Sequence, residues 1–290
     1  MTRLGLLLAP FWSVHRTLGL PSIVLALSTA AVANAQSLGP ERRDINDLRG
    51  DVWSVWSSPA HAKFRDAAPA AAVLGAVLLT SYADSSIYAW MSTHPNTLAM
   101  RVISPIRDGW KFPINGGGNG QFLLPLSLTL YTAGRLSHDT DLRDAGLGCA
   151  AGHLTSAALR DVIYLSVSRM RPHDTAQARQ LSLPGGRVWS RHSFLSGHIA
   201  NSMSCASYFS HRFSLGAAEP LIYAYPIMIG LGRMADGWHW TSDTMAGAVM
   251  GFAIGKAISD RQLHRNGARS AAHFPLPAAP IQIPIWTFDF

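Results

Sequence analysis

The sequence predicts an all-α fold, a bundle of helices, on three observations. Hydrophobic residues make up 48% of the 290-residue chain and charged residues only 14%. Residues 41–56 place apolar side chains at helical spacing, and charge-poor segments of helical length follow between Pro- and Gly-rich breaks. No internal repeat points to a different architecture.

Residues 1–35 read as a secretory signal. Arg3, His15 and Arg16 form a basic region, Thr17 to Val32 is apolar, and Ala33-Asn34-Ala35 is a small-x-small cleavage site before Gln36. The long basic region also fits an uncleaved anchor. Either way Gln36 emerges outside the cytoplasm, which in an exporting bacterium is the periplasm.

Residues 36–120 are expected to hold N-terminal helices and a loop. Ile45, Leu48, Val52, Val55 and Trp56 form the apolar face of one amphipathic helix. Ser58-Pro59 fits an N-cap with Pro at the first helical position. Residues 67–83 carry no charge between Asp66 and Asp84. Residues 91–120 read mainly as loop, and the run Asn115–Gly120 as a turn without the Gly-Lys-Ser/Thr ending of a P-loop. Residues 121–260 form the helical core, with segments at about 121–135, 145–168, 197–212, 219–233 and 240–258. Residues 261–290 are a basic, then Pro-rich tail whose last residues, Ile283–Phe290, alternate like a short strand.

The formal charge of +7 and a pI near 9.8 suit anionic partners. The arginines are dispersed and no nucleic-acid motif is present, so nucleic acid is not an expected partner. Cys149 and Cys205 each sit among small apolar residues and read as buried thiols, with a disulfide left open in an oxidising compartment.

Spanning a bilayer takes about 20 mostly apolar residues. Asp66 to Asp84 encloses seventeen, Arg160-Asp161 and Arg233 interrupt two later helices, and the helix after His198 carries Asn201, Ser202, Ser204, Ser207 and Ser210. Were 67–83, 121–135 and 145–168 all to span, the basic segment after residue 258 would lie outside, against the positive-inside tendency. A periplasmic bundle follows, with peripheral or integral association with a membrane left open.

Three stretches hold the chemistry: Ser168–Pro172, Phe194–His198, and Gly232-Arg233 followed by His239 and Asp243. His239 and Asp243 are four apart, so on a helix they share a face. A carboxylate there can accept one ring N–H and leave the other nitrogen as a lone pair aimed at substrate. Taken alone, that pair is a helix-surface pair before it is anything else. Ser196-Gly197-His198 opens a helix, whose N-terminal amides and dipole favour anions. Taken alone it is a plain Ser N-cap beside a surface histidine. Arg171-Pro172 ends a helix and leaves Arg171, a residue suited to bidentate phosphate contact, facing a loop. Arg169, two residues earlier, points elsewhere.

In order and spacing, the three stretches resemble the signature of the phosphatidic acid phosphatase type 2 and vanadium haloperoxidase superfamily: Lys-x6-Arg-Pro, Pro-Ser-Gly-His, Ser-Arg-x5-His-x3-Asp. The likeness covers about residues 145–258. It implies a helical bundle, with His239 as nucleophile forming a phosphohistidine, Asp243 orienting it, and His198 as acid and then base. It implies that Arg171, Arg233, Ser196 and Gly197 hold the phosphate. No divalent metal or cofactor is expected. Vanadate is expected to inhibit or, in the haloperoxidase reading, to serve as cofactor. The expected substrate is a phosphorylated small molecule or lipid. Tyr164 stands at the Lys position, Leu195 at the Pro of Pro-Ser-Gly-His, and Gly232 at the Ser before Arg233. Arg160, one turn before Tyr164, is the candidate substitute for the missing cation. The rival readings are a headgroup-binding pseudo-enzyme and a vanadate-dependent haloperoxidase.

Overall fold

A computed structural model describes residues 40–108, 121–182, 192–266 and 272–273. Eight α-helices lie among these residues: α1 Pro40–Ser57, α2 Ala67–Thr93, α3 Leu98–Asp108, α4 Leu123–Ser137, α5 Thr140–Ser166, α6 Gly197–Arg212, α7 Glu219–Ala235 and α8 Thr241–Asn266. Two short pairings join loops. Ser168–Arg169 (β1) runs antiparallel to Leu181–Ser182 (β2), and Phe213–Ser214 (β3) parallel to Ala272–His273 (β4). The expected signal segment, the Asn115–Gly120 turn and the strand-like Ile283–Phe290 lie outside the described residues.

The closest packing in the bundle is α6 on α8. Gly247, Gly251 and Gly255 repeat every fourth residue, so they share one face of α8. A Cβ on each would lie 2.4, 2.3 and 2.2 Å from the carbonyl oxygens of Ser196, Ala200 and Ser204. Only glycine allows the helices this near. The contact begins at Ser196, so it draws the start of α6 onto the first turns of α8. The principal core, around Ala151, Tyr208, Phe213, Ile254 and Ile258, lies towards the other end of this pair.

Several boundaries differ from expectation. Residues 98–108 form a helix rather than a loop, because Met100 and Ile103 pack with Met91 and Met234. α5 begins at Thr140 because Asp139 caps it, its carboxylate accepting the N–H of Asp141 and Leu142. α2 does not stop at Asp84 but continues to Thr93, and α8 runs to Asn266.

α2 is long and apolar enough to cross a membrane, and Leu74, Leu78, Leu79 and Tyr82 on it are each more than 60% exposed. Its one carboxylate past the first turn, Asp84, is fully buried. The length argument against spanning a membrane therefore does not hold for this helix.

Cys149 on α5 and Cys205 on α6 are joined as a disulfide rather than standing as separate thiols. The bridge closes a loop with a sequence separation of 56. On a chain-entropy view such a loop stabilises the fold by about 4 kcal/mol. Reduction, or Cys149→Ala with Cys205→Ala, is expected to lower the thermal midpoint by roughly 10 °C. Calorimetry with and without reductant checks this; an unchanged midpoint would contradict it.

Candidate active site

Four chain segments deliver the expected residues to one place. Arg171 follows β1 and is 2% exposed, while Arg233 sits in the last turn of α7 and is 9% exposed. Ser196 is the N-cap of α6, with Gly197 and His198 its first two residues. His239 lies in the turn between α7 and α8, formed through Gly237 at φ +69.

The guanidinium carbons of Arg171 and Arg233 stand 4.6 and 4.8 Å from the centroid of the Trp238 indole. Burial, then the charge of Arg171, pulls the Arg233 guanidinium down to about 10. Two desolvated cations on one ring oppose each other until an anion joins them. Ser196 Oγ and Arg233 Nε are buried without a hydrogen-bond partner among the described residues. At Gly197 a Cβ would lie 2.3 Å from Arg160 Cδ, so the glycine lets the Arg160 side chain cross the start of α6.

His239 is 3% exposed and its Nδ1 lies 2.7 Å from the Ser193 carbonyl oxygen. A carbonyl only accepts, so Nδ1 carries the proton and Nε2 presents a lone pair. Burial, then the charges of Arg233 and His198, holds this imidazole well below its ordinary value and therefore neutral.

The expected direct contact from Asp243 to His239 is corrected here. α8 starts at Thr241, so His239 precedes the helix and the shared-face argument does not apply. Asp243 instead accepts the Trp240 N–H at 2.9 Å, closing the first turn of α8, and the Ser193 hydroxyl at 2.6 Å. Ser193 thus bridges the two, its hydroxyl on Asp243 and its carbonyl on His239. Burial raises the Asp243 carboxyl, and Arg169 opposes that shift.

Arg169 does point away from Arg171, and its destination matters. Its NH1 donates to Asp243 and to Ser242 Oγ, the latter at 2.9 Å, and its NH2 donates to Asp84 at 2.7 Å. Asp84 also accepts the Ser242 N–H at 2.9 Å. Arg169, Ser193 and Asp84 were not among the expected site residues. The available signal was Asp84 itself, since a carboxylate inside an apolar helix is seldom buried without a partner.

Tyr164 donates to the Leu195 carbonyl at 3.1 Å and stacks on His192. Burial pushes its phenol up to about 12, so this position supplies no charge. Arg160 is paired with Asp161 at 2.9 and 2.6 Å. Its field still reaches His198, whose imidazole is lowered to about 3 by burial, then by Arg233, Arg160 and Arg171. A cavity of about 650 Å³ is lined by Ser85, Tyr88, Ser92, His173, Asp174 and Trp240, among others, and by none of the expected site residues.

Residues 145–266 match the family model of the PAP2 superfamily. The PAP2 stretch runs from within α5 to the end of α8 and contains Arg171, Ser196, His198, Arg233, His239 and Asp243. It leaves α1 to α4, and with them Asp84, outside. The chain is also similar to the lipid A 1-phosphatase of Porphyromonas gingivalis, at 27% identity over 93 residues. That stretch is 31% of this chain and 18% of the relative, so the chain spans less than a fifth of the relative's length. No solved structure matches.

Proposed function

We propose that this chain is a metal-independent phosphate-ester phosphatase that works through a phosphoryl-His239 intermediate. The observation that carries the reading is the fixed tautomer of His239, with Nδ1 committed to Ser193 and Nε2 left as a lone pair beside two desolvated arginines. Nε2 attacks phosphorus while Arg171, Arg233, Ser196 and the α6 N-terminus at Gly197 hold the non-bridging oxygens. The bond to the ester oxygen breaks, and His198 gives that oxygen a proton. His198 then takes a proton from water as the water attacks the phosphohistidine, freeing phosphate. General acid help of this kind contributes about 10²–10⁴-fold. The Ser193 carbonyl, backed by Asp243, stabilises the charge that grows on the His239 ring.

The substrate we favour is a phosphate carried by a lipid, with the site at a membrane surface outside the cytoplasm. Three observations support this: the name of the Porphyromonas relative, the exposed apolar face of α2, and the disulfide, which suits an oxidising compartment. A second reading rests on Tyr164, whose neutral phenol stands at the usual Lys position: a phosphate-binding protein without turnover. Hydrolysis of a panel of lipid and soluble phosphates by the purified chain, with and without EDTA, separates the two. Turnover that survives EDTA and is blocked by vanadate supports the phosphatase. Absence of turnover with retained vanadate binding supports the second reading. Halide oxidation by peroxide after vanadate loading would support a haloperoxidase.

His198 also sets a pH dependence. In the empty site its imidazole, held near 3, is neutral at neutral pH. A bound phosphate offsets the arginine charges and favours the imidazolium, so its pKa rises on binding. Phosphate affinity is therefore expected to strengthen as pH falls through that raised value and to weaken above it. Calorimetry in buffers of different ionisation enthalpy should record proton uptake that disappears in His198→Asn. Equal uptake in both proteins would contradict this.

A further inference from the structure

We propose that Asp84, on α2 and outside the PAP2 stretch, is a positioning residue for His239, acting through the buried chain Asp84–Arg169–Asp243–Ser193. The inference rests on His239 as the nucleophile. Asp84 is fully buried, although much of α2 is exposed and apolar. Among the described residues each hydrogen bond of its carboxylate ends in the site: one on Arg169 NH2, and two on the backbone N–H and hydroxyl of Ser242, the residue before Asp243. Arg169 is held from two sides, with Asp84 on NH2 and Asp243 on NH1. A planar guanidinium gripped at both ends cannot rotate, so it fixes the carboxylate beyond it. Asp243 in turn holds the Ser193 hydroxyl, while the Ser193 N–H donates to the Arg169 carbonyl at 3.1 Å. Ser193 is thereby fixed at both ends. Its carbonyl is the group that sets the tautomer and direction of His239. Seating α2 against the site is thus what aims the imidazole.

A plain buried ion pair would hold the fold and nothing more, so the test must move something else. Asp84→Asn keeps the shape and removes the charge. It is expected to lower kcat about 10–100-fold through misplacement of His239, with KM and vanadate affinity near wild type. Asp84→Glu, which restores the charge, is expected to recover part of kcat. NMR of 15N-histidine-labelled protein reads the ring directly: wild-type His239 should show the Nδ1-protonated tautomer, and Asp84→Asn a mixture. A folded Asp84→Asn protein with wild-type kcat and an unchanged His239 spectrum would overturn the proposal. So would a loss of kcat that runs parallel to lost vanadate affinity and lost folded protein. Failure of the wild-type protein to hydrolyse any ester would count against the phosphatase reading alone, because the NMR comparison still decides the positioning.

Discussion

His239→Ala is expected to lower phosphate-ester turnover by about 10⁴-fold or more while the protein stays folded, as removal of a nucleophile does elsewhere. The loss is large because, in the proposed mechanism, Nε2 forms the bond to phosphorus. His198 is the nearest rival, but its neighbours Arg233, Arg160 and Arg171 all oppose its charge. The structural cost is smaller. The Ser193 carbonyl loses its imidazole partner, which costs about 1–3 kcal/mol. Arg171 and Arg233 remain on Trp238, so vanadate should still bind. Steady-state kinetics beside a thermal melt separates these effects. Wild-type turnover in a folded His239→Ala protein would contradict the mechanism.

Arg169→Met carries the second large effect, this time on stability. Arg169 is 4% exposed and lies between two fully buried carboxylates, Asp84 and Asp243. Methionine leaves both without their cation, and breaking a buried pair in this way costs about 3–5 kcal/mol. The sign of its pH dependence follows from the same geometry. With the guanidinium gone, nothing from Arg169 opposes the burial that raises the Asp243 carboxyl above its unfolded value. Protonation of Asp243 then favours the folded state, so the defect is largest at neutral pH and shrinks as pH falls through that raised value. Denaturant titrations of Arg169→Met and wild type at several pH values measure this. A destabilisation that grows towards acid would contradict the account.

Much of the site is readable in the chain because its parts adjoin marked helix ends. Ser196 stands before Gly197 and Arg233 before the turn at Gly237, whereas Arg171-Pro172 does not end a helix as expected: α5 stops at Ser166 and β1 lies between. The link from Asp243 to His239 is not readable in that way. Helical spacing suggested a direct contact, but Asp243 itself sets the start of α8 by accepting the Trp240 N–H, which leaves His239 in the turn. Ser193 then fills the gap, and a loop serine gives no sign that it will bridge two elements. Asp84 looked like the end of a helix because charge usually closes an apolar run. Only the distance to Arg169 shows that the helix continues and that the charge is turned inward. α3 was hidden by the prolines and glycines around it, since its support is tertiary, from Met91 and Met234. The disulfide likewise depends on α5 and α6 bringing Cys149 and Cys205 within 4.6 Å between Cα atoms. The ladder of Gly247, Gly251 and Gly255 is a missed signal of a different kind, because its spacing of four is visible in the chain. That spacing announces a close helix contact without saying which helix.

The central claim is a covalent phosphoryl-His239. The most direct measurement is rapid quenching of the purified protein during turnover of a 32P-labelled phosphate ester, followed by peptide mapping. An acid-labile, base-stable label on the peptide carrying His239, absent from His239→Ala, is the predicted result. Turnover with no protein-bound phosphate at any quench time, or a label that persists in His239→Ala, would contradict it.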